Sequence, residues 1–292
     1  MEDLILQFAS GLLKAMFLFL LASGMSLIFG VSRVLNIAHG AFYALGAYLI
    51  LTASIGRTLD TAEFAVAIVA VGLVLGLLGA AFEIVVLRRV YRAGMLYVAL
   101  VTFGLLMLVE ELIRIVWGGG FAAVPRPAGL QGGLTLGAQQ LPVYNLTLLG
   151  VGLVIALVLW LLVERTKIGL KIRAAAMDRE MLSALGVDVP RLYTLTFAIG
   201  TFLAGIAGAL AGPMVTVTPS MGSTIVIEVF AVVVIGGLGS LPGSLVGALI
   251  VGELDSFGVI FAPEASLPLL YLLMAIILVL RPSGLLGTPD RT

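Results

Sequence analysis

The sequence predicts an all-α fold, a polytopic bundle of about eight transmembrane segments, two of them broken or re-entrant. Of the 292 residues, 61% are hydrophobic and only 11% are charged. Mean hydropathy is +1.21, far above what a water-soluble core of this size needs. A membrane helix takes roughly 20 apolar residues, so this length accommodates about seven to nine spans with short connections. We therefore expect one transmembrane domain over residues 1–292, with no second globular domain.

Long apolar stretches are separated by short polar links. They lie near residues 12–31, 34–55, 62–87, 94–117, 144–163, 192–215, 225–254 and 264–281. Basic residues concentrate in the links after the third and fifth stretches, which predicts that both links are cytosolic. The connection 118–143 contains Arg126 as its one basic residue and is expected on the opposite side. Counting back from there places the N-terminus outside.

Two of the apolar stretches are interrupted by glycine and polar residues. The second opens with LNIAHGAFYALGAY at 35–48, and the seventh contains IGGLGSLPG at 235–243. Irregular backbone at membrane depth is tolerated only inside protein or beside water, and broken helices commonly line transport pathways. The sequence therefore predicts a substrate pathway formed by Asn36, His39, Gly40, Tyr43, Gly236, Gly237 and Gly239. His39 can equally serve as a hydrogen-bonding group at a helix terminus.

The seventh stretch leaves the side of the C-terminus open. If it folds back at its glycines as two half-spans, Arg281 is cytosolic, whereas a single tilted span of residues 225–254 places the C-terminus outside. Small residues recur at four-residue spacing in three stretches, which predicts close helix packing. They are Gly200, Ala204, Gly208 and Gly212; Gly72, Gly76 and Ala80; and Gly243 and Gly247.

Residues 164–191 form a polar segment that is predicted to be a cytosolic loop. It holds six of the chain's 16 basic residues. Within it, Ala174, Met177, Met181, Ala184 and Leu185 recur at helical spacing, opposite Asp178, Arg179, Glu180 and Ser183. Gly186 then marks the helix stop. From the residues alone, this amphipathic helix is either an ordinary positive-inside loop or a docking site for a soluble partner.

The sequence lacks the residues that several function classes need. His39 is the only histidine and there is no cysteine, so we expect no multi-histidine metal site and no thiol chemistry. The motifs GxxxxGK[ST] and GxSxG are absent, so we expect no enzymatic activity and no cofactor. Net charge is zero, which gives no reason to expect nucleic-acid binding.

Acidic residues near the apolar stretches have two interpretations. Glu228, Glu253 and Asp255 flank the seventh stretch and are either part of an ion or proton route or ordinary interface residues. Glu110 and Glu111 precede Arg114 by four and three residues, which favours local ion pairing.

Four segments resemble the membrane permeases of branched-chain amino-acid ABC importers. They are LNIAHGAFYALGAYL, IGLKIRAAAMDREMLSALGVDVPRLYTLTFAIGTFLAGIAGALAG, VVVIGGLGSLPGSLVGALIVG and LVLRPSGLLG, in the expected order over nearly the whole chain. The NIAHG start resembles one of the two paired permease types of these importers.

The resemblance implies a multi-pass subunit of the bacterial inner membrane that works with several partners. These are a second, similar permease, two cytosolic ATPase subunits and an external substrate-binding protein. The family's ATPase-contacting segment corresponds to Ala174–Gly186, with Ala174, Ala175, Met177, Asp178, Met181, Leu185 and Gly186 as the coupling residues. The sequence MDREM departs from the family's usual longer acidic or amide-rich pattern, which leaves the identity of the ATPase open.

The implied activity is ATP-driven import of branched-chain or other neutral amino acids by alternating access. Urea, short amides and aromatic acids are alternative substrates of similar permeases. A passive channel or an ion-coupled secondary carrier would have similar broken helices and forms the competing class. A membrane scaffold without transport activity is a third class.

Overall fold

The protein is a helical bundle in a computed structural model that describes residues 2–136, 139–261 and 266–287. Six helices in these ranges are long and apolar enough to cross a membrane, and three further apolar helices are shorter, at His39–Ala53, Met221–Gly236 and Pro268–Leu280. The predicted all-α polytopic bundle is confirmed. The described residues thus contain nine apolar helices, whereas the sequence has eight apolar stretches, because the seventh stretch forms two helices.

The helices follow one another with short connections. They are α1 (Glu2–Ser32), α2 (His39–Ala53), α3 (Thr61–Phe82), α4 (Arg88–Val90), α5 (Met95–Trp117), α6 (Val143–Arg165), α7 (Lys167–Met177), α8 (Arg179–Ala184), α9 (Val189–Ala211), α10 (Met221–Gly236), α11 (Leu241–Phe261) and α12 (Ser266–Leu280). A π-helical turn at Glu83–Leu87 joins α3 to α4. Strands β1 (Gly133–Leu136) and β2 (Gln139–Pro142) pair antiparallel in the connection between α5 and α6.

Basic residues gather at one end of the bundle, which we call the basic end. Arg33, directly after α1, donates to the Ala176 carbonyl of α7 at 2.9 Å. Arg88, after α3, donates to Thr194 Oγ1 at the start of α9 at 2.6 Å. This clustering agrees with the expectation that the links after the third and fifth apolar stretches share one side.

Helices α10 and α11 form an antiparallel hairpin instead of one tilted span. The backbones of Gly236 and Gly243 touch, and Gly247 lies against the Val232 carbonyl. The turn between them contains Gly237 and Gly239 with φ of +109° and +82°, values that favour glycine. Of the two possibilities for residues 225–254, the break is therefore the correct one, but α11 is long enough to cross a membrane and is not a half-span.

The segment after α12 returns to the basic end. Leu285 N donates to the Ile235 carbonyl and Leu286 N to the Gly236 carbonyl, each at 2.9 Å. These bonds satisfy carbonyl groups at the C-terminus of α10 that the helix itself leaves without partners. The C-terminal segment thus lies on the α10–α11 turn, on the same side as α7 and α8.

Helix α9 occupies the centre of the bundle, and glycines allow its neighbours to approach closely. Gly200 meets the Gly24 carbonyl of α1, and Gly208 meets the Tyr43 carbonyl of α2. Gly72 of α3 packs under Phe202. A Cβ atom at any of these glycines would collide with the neighbouring helix, so the predicted small-residue packing is present.

Candidate functional site

Helix α2 begins in the interior of the bundle. The chain leaves α1 at Ser32 on the basic end, continues without helical structure and enters α2 at His39. The His39 ring contacts the Leu21 carbonyl, with Nε2 at 3.0 Å. Leu21 lies about three turns, or about 16 Å, before the end of α1. Since a hydrocarbon core is about 30 Å thick, α2 starts near its middle.

The residues around this start are polar and enclosed. Asn36 and His39 each expose only 1% of their surface. His39 N donates to the Asn36 carbonyl at 3.2 Å, and Ile37 N donates to Thr102 Oγ1 at 3.3 Å. The side-chain oxygen and nitrogen of Asn36 and the Nδ1 atom of His39 have no hydrogen-bond partner. Buried polar groups without partners are rare, which distinguishes this position from the surrounding core.

A second helix begins beside the first turn of α2. The backbones of Gly40 and Gly222 are in contact, and Gly222 is the second residue of α10. The carboxylate of Glu110 accepts a hydrogen bond from Ser223 N at 3.0 Å and so caps the start of α10. The predicted pairing of Glu110 with Arg114 is therefore wrong, because the Glu110 carboxylate accepts from the backbone of α10 instead. Glu111 makes the ion pair with Arg114, at 3.4 Å.

The predicted pathway residues fall into two groups. Asn36, His39, Gly40 and Tyr43 surround the start of α2, where Tyr43 is 3% exposed and contacts the Phe17 ring with centroids 5.8 Å apart. Gly236, Gly237 and Gly239 lie at the basic end instead. There Gly237 contacts Gly287, and Gly239 contacts Gly30 of α1. Helix α10 is the element that joins the two groups.

A groove opens at the basic end beside the second group. Its volume is about 1270 Å³, and Gly239, Arg33, Trp160 and Met177 are among its lining residues. It therefore brings the α10–α11 turn, the end of α1, the end of α6 and α7 around one space.

The polar segment at 164–191 forms two short helices. Asp178 has extended backbone angles of φ −153° and ψ 101°, and its side chain accepts from Met181 N at 2.9 Å as the N-cap of α8. The expectation of one continuous helix through Ala174 and Leu185 is wrong, because this cap ends α7 and starts α8. Gly186 follows with φ +81° and ends the segment as predicted.

The break divides the predicted coupling residues by exposure. Met177, Met181 and Leu185 expose 84%, 58% and 74% of their surface, and we call these three exposed apolar residues the methionine patch. Ala175 is buried and Ala174 is half-buried, so these two face the bundle. An exposed apolar patch on a polar segment is typical of an interaction surface.

The inner side of the segment is held by three helices. Ile172, Ala175 and Leu182 pack in one cluster with Val31 of α1, Leu159 of α6 and Leu192 of α9. Together with the bond from Arg33 to Ala176, these contacts would transmit a displacement of α7 and α8 directly to the bundle.

Two charged residues of the bundle, Lys14 and Glu83, were not identified from the sequence. Lys14 of α1 lies 3.2 Å from Glu228 and 2.7 Å from Asp255, which ties α1 to α10 and α11. Glu83 is fully buried in the π-helical turn and accepts from Thr194 Oγ1 at 2.6 Å. A charged residue within an apolar stretch was the available signal in both cases.

Comparison with known proteins identifies the family. The profile described as branched-chain amino acid transport system / permease component matches residues 7–280. The chain belongs to this permease family. It is 26% identical to the high-affinity branched-chain amino acid transport system permease protein BraD of Pseudomonas aeruginosa over 299 residues, which cover 97% of this chain and 96% of BraD.

Other relatives agree over nearly the full length. LivH of Escherichia coli K12, also named as a high-affinity branched-chain amino acid transport system permease protein, is 27% identical over 93% of this chain and 91% of its own. A probable LivH of Methanocaldococcus jannaschii is 27% identical over 92% of this chain and 88% of its own. These names describe transport permeases, so the expectation of a transport subunit is confirmed.

Proposed function

We propose that the chain is the membrane-spanning subunit of an ATP-driven importer for branched-chain or other neutral amino acids, located in the inner membrane of a bacterium. The family and the names of its relatives support this function and substrate class. The partners are a second permease of the same kind, two ATPase subunits at the basic end and an external protein that delivers the substrate. The basic end then faces the cytosol, in agreement with the positive-inside rule.

The methionine patch carries the coupling part of the proposal. Its three side chains are exposed at the basic end, while the opposite side of the same segment packs on α1, α6 and α9. An ATPase subunit that covers the patch can therefore push on three membrane helices at once. Closure of the ATPase dimer would move α7 and α8, and the bundle would convert this movement into alternating access.

The route between α7 and the broken helices is short. Arg33 connects α7 to the end of α1, and Gly30 of α1 touches Gly239 in the α10–α11 turn. Helix α10 leads from this turn to Gly222, which touches Gly40 at the start of α2. Asn36, His39, Gly40 and Tyr43 form the central part of the proposed pathway, and Gly236, Gly237 and Gly239 its cytosolic part.

The test is reconstitution in liposomes with and without the partner subunits. We expect substrate uptake to require the ATPase subunits, ATP and the delivering protein, and we expect no ATP hydrolysis by the purified chain alone. Uptake by the permeases without ATP would establish a channel or a secondary carrier instead.

An ion-coupled carrier is the second candidate, because charged residues lie within the bundle. Lys14 with Glu228 and Asp255 is the group that favours it, since intramembrane charges often mark ion routes. The ion pairs also explain the group as a tie between three helices. Uptake that responds to an ion gradient in ATP-free liposomes is the result that would distinguish the carrier.

A further inference from the structure

The N-terminus of α2 has no side-chain cap in the interior of the bundle. Its N-cap residue Ala38 has no side chain that could accept from the first amides, and of these His39 N and Ala41 N donate to the Asn36 and Ala38 carbonyls. Side-chain oxygens accept from the first turns of five other helices, namely Asp60 for α3, Thr166 for α7, Asp178 for α8, Asp188 for α9 and Glu110 for α10. A helix N-terminus carries partial positive charge and favours a negative group beside it.

The contrast with α10 is informative because the two helices begin side by side. Gly40 and Gly222, in the first turns of α2 and α10, are in backbone contact. The start of α10 has the carboxylate of Glu110, whose oxygen lies 3.0 Å from Ser223 N. A carboxylate ligand at the start of α2 would lie at the positive end of a helix dipole, as Glu110 does at α10.

Asn36 is the second observation, and it points to a ligand independently of the helix. It lies in the turn that leads into α2, with its carbonyl accepting from His39 N, and it exposes 1% of its surface. Both polar atoms of its side chain have no partner. An amide with both a donor and an acceptor unused is suited to a polar solute that carries both kinds of group.

His39 adds an acceptor beside it. Its Nε2 atom donates to the Leu21 carbonyl, since a carbonyl can only accept, and in a neutral ring Nδ1 is then an acceptor. That Nδ1 atom has no partner. It suits an N–H donor such as an ammonium group and does not suit a carboxylate.

We propose that the α2 N-terminus and Asn36 bind the carboxylate of a zwitterionic amino acid during transport, with its ammonium group directed to Asn36 Oδ1 and His39 Nδ1. The proposal rests on the proposed transport function and narrows its substrate class. Urea and short amides lack the carboxylate. The contact between Gly40 and Gly222 closes the site in this conformation, so α2 and α10 separate when the substrate enters.

The test uses the assembled permease–ATPase complex in nanodiscs, without the delivering protein, and measures binding of radiolabelled L-leucine. We expect L-leucinamide, in which an amide replaces the carboxylate, to compete at least tenfold more weakly than unlabelled L-leucine. Asn36→Leu removes both the donor and the acceptor of this side chain and should weaken leucine binding at least tenfold. Asn36→Ser keeps a donor and an acceptor and should retain more binding than Asn36→Leu.

The matched control is Asn145→Leu, because Asn145 also has a side-chain oxygen without a partner but belongs to the first turn of α6 and not to the turn before α2. We expect this variant to bind leucine like the wild type. Co-purification of the ATPase subunits shows that each variant is assembled. Equal competition by leucinamide, or wild-type binding by assembled Asn36→Leu, would overturn the proposal.

The transport function is tested separately. If the wild-type complex binds no leucine but still takes it up with ATP and the delivering protein, the site is wrong and the importer stands. If uptake does not require ATP, the proposed function fails whatever the binding result.

Discussion

Charging the methionine patch at Met181 should release or uncouple the ATPase subunits. Met181 exposes 58% of its surface, and burying a whole methionine side chain contributes about 1.5–3 kcal/mol, so covering its exposed part contributes about 1–2 kcal/mol. An unpaired carboxylate in the same contact costs about 2–5 kcal/mol more. The sum of about 3–7 kcal/mol for Met181→Asp corresponds to association that is weaker by about two to five orders of magnitude.

The permease itself should tolerate this substitution, because Met181 is exposed and its own backbone N–H remains bonded to Asp178. The assay is co-purification of the ATPase subunits, together with substrate-stimulated ATP hydrolysis in the reconstituted complex. The control is the charge swap Arg179→Glu in the same short helix, which should cost less because rim charges contribute little to affinity. Wild-type values of both measurements for Met181→Asp would refute the coupling role of α7 and α8.

Three further substitutions test the interior of the bundle. Gly237→Val should impair transport or assembly far more than Gly150→Val. Gly237 has φ +109°, and a Cβ there would lie 2.6 Å from the Gly287 Cα, whereas a Cβ at Gly150 would meet open space. Uptake and the yield of assembled complex measure this effect, and equal tolerance of the two substitutions would contradict it. His39→Leu removes the bond to the Leu21 carbonyl and should lower uptake while the complex still assembles; unchanged uptake would assign the residue a purely structural role. Lys14→Met leaves the carboxylates of Glu228 and Asp255 without their cation. Because these ion pairs are partly exposed, the substitution should lower the free energy of unfolding by about 1–3 kcal/mol. Thermal unfolding in detergent measures this change, and an unchanged midpoint would show that the ion pairs contribute nothing to stability.

The breaks in the helices could be predicted because glycine and polar residues are costly in an apolar span. Asn36 and His39 marked the interrupted second stretch, and Gly237 and Gly239 marked the turn in the seventh. What the sequence could not supply is the distance between them. Whether two breaks share one site depends on how α10 packs against α2, and the periodicity of one helix contains no information about that contact.

The segment at 164–191 shows a different limit. The apolar spacing of Met177, Met181 and Leu185 predicts one helical face, but this spacing cannot show that a helix ends and another begins inside the segment. Asp178 can either continue a helix or start a new one, because its side chain can bond the backbone three residues on. In this protein it starts α8. Likewise, Glu110 and Glu111 are equivalent by spacing to Arg114, and the tertiary contact with α10 decides between them.

The bonds from Leu285 and Leu286 to the end of α10 have a consequence for biogenesis. The carbonyls that they satisfy belong to Ile235 and Gly236, which leave the ribosome well before their partners are made. During that interval the nascent α10–α11 turn at the basic end leaves these two carbonyls to water and lacks the contacts of the last segment. We therefore expect membrane insertion of this permease to finish with docking of that segment, and a nascent chain stalled before Leu285 should remain open to protease at the turn.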